Sequence, residues 1–227
     1  MKEIDIQSWN RKKQFLWFNS FSNPCYCINV KMDCTKVVNI CKENKKSFFV
    51  SFMYLVMKAL NSIEEFRLRY IDGKVYLFDT INPAFTVMTD AGVFENVRHE
   101  MKEDFVEFYD LSKKVIDEAK KEIKVKDEYN TNNFNEYYLT TTPWLDFESA
   151  THPIPDDKNS LSVPRICWGK YKKVDDKYLL TLNINVSHAL VDGKPMCEAF
   201  NKIQDLLDRA EEFLRWWDES YFGKQES

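Results

Sequence analysis

The stretch NVSHALVDGKPM, residues 185–196, places one of only three histidines four residues before an aspartate-glycine pair. Histidine is the side chain whose ordinary pKa, about 6.5, lies near neutrality, so a neutral ring held rigidly beside a cleft is suited to general-base work. His188 follows an alternating run and precedes a helical one, which puts it where a sheet strand ends. Asp192, beside the Gly193 turn, is suited to hold that turn through a buried ion pair, for which the planar fork of an arginine is the favoured partner. Taken alone, however, HxxxD also describes a hydrogen-bonded structural histidine, and on these residues alone that is the simpler account.

The elements that must position His188 alternate between helix and strand. KYLLTLNINV sets Tyr178, Leu180, Leu182, Ile184 and Val186 against Leu179, Thr181, Asn183, Asn185 and Ser187, a period of two that sends one face to the core. Beyond the Asp192-Gly193 turn, Met196, Phe200, Ile203, Leu207, Ala210 and Leu214 recur at helical spacing and predict one long closing helix. Near the start, Ser8 is expected to cap a helix through WNRKKQFLWFNS, followed by a strand in YCINVKMD. Thr35–Asn44 and Ser47–Ser62 read as helices, the second so apolar that it must be buried on most sides. FRLRYIDGKVYLFD is a hairpin turning through Asp72-Gly73. PAFTVMT and VFENVRHE add strands, Glu103–Ile123 a charged amphipathic helix, DEYNTNNFNE a polar loop, and EYYLTTTPW and RICWGKYKKV two further strands.

Composition limits what these elements serve. A chain of 227 residues, 44% hydrophobic and without a Pro/Gly/Ser-rich linker, is expected to form one domain over residues 1–227. A net charge of −4 with lysines dispersed among carboxylates gives no footprint for nucleic acid. No apolar run is long enough to span a bilayer, and MKEIDIQSWN lacks the basic start and apolar stretch of a signal peptide, so a cytoplasmic location is expected. The six cysteines, Cys25, Cys27, Cys34, Cys41, Cys167 and Cys197, are expected to be free thiols. Cys25 and Cys27 lack a second Cys/His pair at zinc-ligand spacing, so no metal is expected.

SHALVDG and the helix after it resemble the HHxxxDG signature of the chloramphenicol acetyltransferase family. SWNRKKQF, EEFRLR, DGKVYLFDTINPAFTV, TTTPWLDF and CWGKY match in the same order, so the resemblance runs from about Trp9 to Leu207. It implies an α/β fold, a two-layer sandwich with a mixed, mostly antiparallel sheet covered by helices, assembled as a homotrimer with active sites at subunit interfaces. It also implies an O-acetyltransferase that uses acetyl-CoA as co-substrate, binds no cofactor permanently and acts on a small hydroxylated acceptor. The second signature histidine falls on His188, the base that takes the acceptor's proton as its oxygen attacks the thioester. The hydroxyl that donates to the oxyanion corresponds to Thr140, and the turn aspartate and its arginine partner to Asp192 and Arg11. Trp144, Lys170 and Tyr171 match positions on the coenzyme side, and Trp17, Phe18, Tyr26, Thr86 and Cys167 match the acceptor pocket.

The departures fall on the acceptor side. Ser187 stands for the first signature histidine, Lys194-Pro195 for Phe-His, Cys167 for a threonine and Pro24 for a small thiol. Acetyl transfer is therefore expected to outlast specificity, with chloramphenicol a poorer substrate than for a typical member. One alternative is a catalytically weak or inactive trimer that binds an apolar ligand. Another is the acyltransferase core of a dehydrogenase complex, ranked last because no lipoyl-domain or flexible-linker sequence precedes the motifs.

Overall fold

Alternation along the strands and apolar stripes along the helices assemble a mixed sheet with helices packed on one face. A computed structural model describes residues 1–121 and 134–216. β1 (Lys2–Ile4), α1 (Lys12–Asn19), β2 (Cys25–Asp33), α2 (Thr35–Glu43) and α3 (Phe48–Asn61) come first. A 3-10 turn at Glu64–Arg67 leads into β3 (Leu68–Ile71), β4 (Lys74–Leu77), β5 (Asn82–Met88), β6 (Phe94–Arg98) and α4 (Phe105–Lys120). β7 (Glu136–Thr142), α5 (Lys158–Leu161), β8 (Arg165–Gly169), β9 (Lys172–Val174), β10 (Lys177–Ser187), α6 (Gly193–Asp208) and α7 (Ala210–Phe213) follow.

The main sheet has the order β2-β10-β8-β7-β5-β6, with β9 paired to β10. β7 runs parallel to β5 and β8, and the other pairings are antiparallel. The long strand β10 holds this sheet together, because its register joins Ser187 to Cys25 on one side and Asn185 to Arg165 on the other. A small second sheet, β1-β4-β3, carries the predicted hairpin; Asp72 and Gly73 both take positive φ, as a two-residue turn of this hand requires.

The helix side of the main sheet is apolar. Phe85, Leu139, Ile166, Ile184 and Ile28 fall in one cross-strand row, and α3 lies over this side with its Phe49 ring 5.5 Å from both Phe85 and Trp168. Ser47 caps α3 by accepting from the Val50 N–H, and from Val50 to Leu60 every residue except Lys58 is buried. That explains how so apolar a helix is tolerated: sheet, α4 and α6 share its circumference.

The outer side is polar yet largely covered. Thr86, Thr140, Cys167, Asn183 and Asn29 form one row across five strands, and Tyr138, Arg165, Asn185 and Cys27 lie in the next. Asn183 is fully buried; its Nδ2 donates to Asn29 Oδ1 at 2.8 Å and to the Ala150 carbonyl at 3.0 Å. His152 Nε2 lies 2.8 Å from Asn183 Oδ1, an acceptor, so that nitrogen carries the proton. The coil after β7 thus latches onto the sheet, and Thr181 and Asn183 of the polar half of β10 are satisfied by protein instead of solvent.

Several elements differ from expectation for local reasons. Ser8 bonds Asp5 Oδ2 at 2.8 Å and caps no helix; α1 begins only at Lys12. The expected strand RICWGKYKKV divides into β8 and β9, because the Lys170 N–H turns to the Leu145 carbonyl at 2.9 Å. The closing helix breaks at Arg209 (φ −115°, ψ 27°), although Ala210 and Leu214 keep their buried places. β1 and α5 are short elements without periodicity and were not expected. Residues 122 and 123 of the expected helix and 127–133 of the expected loop lie outside the described residues, and Glu136 opens β7.

Two histidines are expected to make stability pH-dependent. His99 Nδ1 lies 2.8 Å from the Glu100 carbonyl, which only accepts, so Nε2 receives the Ser112 hydroxyl at 2.8 Å. Burial holds the pKa of both His99 and His152 below the ordinary value, against hydrogen bonds that raise it. The unfolded chain therefore takes up protons that the folded rings refuse, and their contribution is complete above pH ~6.5 and declines below it until the folded rings protonate. Melting temperature is expected to fall on acidification from that point, with a shallower slope in His99→Gln. An unchanged slope in that variant would remove His99 from the effect.

Candidate active site

His188 is placed by the last pairing of the sheet. Its N–H donates to the Pro24 carbonyl at 2.9 Å, which extends the β2–β10 ladder one step beyond Ser187. The ring turns to the helix side and stacks on Phe18 of α1, with centroids 3.9 Å apart and planes 14° apart. Tyr26 of β2 packs against it at 4.6 Å. Nδ1 is buried 3.3 Å from Asp192 Oδ1 without hydrogen-bond geometry, whereas Nε2 is neither buried nor bonded among the described residues. The aromatic packing fixes the ring plane and leaves one nitrogen available to a ligand.

Arg11 ties the following turn to α1. Nε and Nη2 grip the two Asp192 oxygens at 3.1 and 2.8 Å, and Nη1 donates to the Ala189 and Leu190 carbonyls. Tyr26 closes the turn from the sheet by donating to the Val191 carbonyl at 3.3 Å. Burial, with the Asp192 charge adding to it, pushes the Tyr26 phenol up to about 12. The ion pair is half-buried and not buried as expected: the Arg11 side chain is 14% exposed and that of Asp192 36%. Its coupling is accordingly expected at about 1–2 kcal/mol, between exposed and fully buried pairs. A double-mutant cycle of Arg11→Ala and Asp192→Ala followed by thermal melting measures it, and additive losses would show no coupling.

The other expected residues gather elsewhere. Thr140 Oγ1 lies 3.3 Å from Thr86 Oγ1, and Cys167 is the register partner of Thr140. Burial pushes the Cys167 thiol up to about 11, so it is a neutral lining group. These three face the outer side of the sheet, whereas His188 faces the helix side. Their row meets β10 at Asn183, five residues before His188, and β7 is two strands away from β10. Strand geometry then puts Thr140 roughly 20 Å from His188, so one chain does not bring them together. Trp17 is 61% exposed on α1, with its ring 4.8 Å from that of Phe18. Trp144 is 71% exposed, on a coil pressed so closely to β8 that a Cβ at Gly169 would meet the Leu145 carbonyl oxygen at 2.9 Å.

Lys170 and Tyr171 border a cavity of about 390 Å³ between α3, α4 and the ends of β5, β7 and β8. Phe48, Phe49 and Trp168 give it aromatic walls, and Lys113 and Lys120 add positive charge. Thr86, Val87 and Met88 of β5 also line it. Such a space suits a long molecule with an aromatic group and anionic groups. Sequence reasoning missed Phe48, Phe49, Lys113 and Lys120; the lysines read as the solvated face of an amphipathic helix.

The chloramphenicol acetyltransferase family model matches residues 1–204. The chain belongs to this family. Family membership makes it an acyltransferase and agrees with the mixed α/β fold. A chloramphenicol acetyltransferase from Campylobacter coli is 30% identical over 211 residues, covering 91% of this chain and 98% of the relative. One from Escherichia coli is 27% identical over 208 residues, covering 90% and 93%. Among solved structures, a chloramphenicol acetyltransferase superposes with a TM-score of 0.81 at 29% identity, covering 90% of this chain and 98% of the other. The cubic core of a pyruvate dehydrogenase multienzyme complex shares the fold, with a TM-score of 0.62 at 14% identity over 95% and 94% of the two chains. No helix among the described residues is long and apolar enough to cross a membrane.

Proposed function

We propose that the chain, acting as a single acetyltransferase unit, transfers the acetyl group of acetyl-CoA directly to a hydroxyl of chloramphenicol or a related small acceptor. The observation that carries this is the His188 ring, stacked on Phe18 beside the Arg11-clamped Asp192 turn with Nε2 available. Nε2 takes the acceptor's hydroxyl proton as the new C–O bond forms, then returns it to the departing thiolate sulfur as the C–S bond breaks. Asp192 and Arg11 keep the turn in place. Thr140 donates to the carbonyl oxygen as it gains negative charge.

The separation of His188 from Thr140 supports a homotrimer in which the outer face of one chain meets the His188 end of its neighbour. The cavity bordered by Lys170 and Tyr171 then receives the coenzyme, with Trp144 next to Pro143, which lines it. Trp17, Phe18, Tyr26, Thr86 and Cys167 line the acceptor side. The chain works without a permanently bound cofactor, in the cytoplasm, in a role related to antibiotic resistance. Thiol release from acetyl-CoA in the presence of chloramphenicol and a panel of primary alcohols tests this. Chloramphenicol is expected to be turned over more slowly than the preferred alcohol, and no thiol release with any acceptor would sink acetyl transfer.

A further inference from the structure

Arg165 lies on the outer side of β8, two residues from Cys167 on the same face and directly opposite Asn185 of β10. Arg165 is 5% exposed and Asn185 6%. Among the described residues no carboxylate is bonded to the guanidinium, although the Asp157 charge nearby favours it: its hydrogen bonds there are those from Nη1 to the Ser160 and Val163 carbonyls, at 3.2 and 3.0 Å. The Tyr138 ring centroid lies 5.6 Å from the guanidinium carbon, a contact that uses the cation's face and none of its N–H groups. Nε and Nη2 make no hydrogen bond among the described residues. Asn185 makes no side-chain hydrogen bond among them either, and its Oδ1 is buried without a partner.

A second buried arginine supplies the contrast. Arg69 is fully buried and also lacks a bonded carboxylate, yet it uses Nε, Nη1 and Nη2 on the carbonyls of Phe134, Phe66, Leu68 and Glu136. Arg69 has a complete structural task, whereas Arg165 keeps two nitrogens in reserve beside an unpartnered amide. Burying a cation is costly unless an anion or several acceptors complete it. Tyr138, Cys25 and Cys27, which flank the cluster, are only partly buried, so it borders the open part of the outer face. Along β8, Arg165 sits one step from the Thr140–Cys167 row toward the His188 end of β10.

We propose that the acceptor alcohol carries a carboxylate, received by Arg165, while Asn185 takes a second polar group of the same molecule. This rests on the acetyltransferase reading above, in which the outer face lines the acceptor site. A planar guanidinium receives a carboxylate through paired charge-assisted hydrogen bonds. A neutral acceptor leaves Nε and Nη2 desolvated and without an acceptor, which penalises neutral alcohols more than the loss of an apolar contact would.

The test uses the full chain and two matched probes, 4-(hydroxymethyl)benzoate and 4-(hydroxymethyl)benzamide, in the thiol-release assay. The acid is expected to exceed the amide in kcat/KM by about 10-fold or more, as a hydrogen bond to a charged group implies. That ratio should collapse in Arg165→Met and return in part in Arg165→Lys. Equal turnover of acid and amide by the unaltered chain, which needs no variant to fold, overturns the proposal and leaves acetyl transfer standing. Calorimetry separates the two failures: acid bound more tightly than amide without thiol release keeps Arg165 and sinks the reaction, and equal binding of both overturns Arg165 as the recognition group.

Discussion

His188→Ala is expected to lower kcat by about 10²- to 10⁴-fold or more, because it removes the base proposed to make the acceptor oxygen nucleophilic. The fold should survive, since the ring is only about two-thirds buried and the strand before it is fixed by pairing along its whole length. Phe18 and Tyr26 lose a stacking partner, a change expected to cost about 0.5–1.5 kcal/mol. Thiol release with a competent alcohol reads the first effect and thermal melting the second. A variant with near-native kcat would show that another group moves the proton.

Thr140→Val is expected to lower kcat by about 10²-fold with little change in coenzyme affinity, and Thr140→Ser to be tolerated. Valine keeps the shape and removes only the hydroxyl, so equal rates for Val and Ser would take the hydroxyl out of the chemistry. The roughly 20 Å between Thr140 and His188 within a chain adds a sharper measurement. Coexpressed His188→Ala and Thr140→Val chains should regain about a quarter of native activity, as random mixing restores one intact pairing in four across a heterologous interface. Activity no higher than that of the single variants would place both groups of each site in one subunit.

Strong local patterns made the histidine end of the candidate site legible as a place in the fold. The β10 alternation, the Asp192-Gly193 turn and the apolar spacing of the last helix together fix His188 at a strand end, and the order of motifs supplied Arg11. Thr140 was legible as a residue but not as a place, because which side of a strand it faces relative to His188 depends on the registers of the intervening strands. The half-exposure of Asp192 was equally hidden, since spacing fixes a partner without fixing the solvent around it. Ser8 misled because a nearby carboxylate, Asp5, offered a better hydrogen bond than the helix end. The burial of Asn183 and Arg165 could not be read from alternation, which assigns polar residues to water and is blind to a later coil folding over them.

The pairing of β2 with β10 sets an order on folding. Cys25 and Ser187 are register partners, and the His188 pocket takes Arg11, Phe18 and Tyr26 from the first eighth of the chain and His188 and Asp192 from the last fifth. Contacts between such distant segments form slowly, because the closure entropy of the intervening loop opposes them until they are made. During synthesis, β2 must therefore wait for nearly the whole chain to emerge before its partner strand exists. The edges of β2 and β8 that await β10 are the sites where a nascent chain is open to mispairing, and a ribosome stalled before Ser187 would hold a product that lacks both His188 and Asp192.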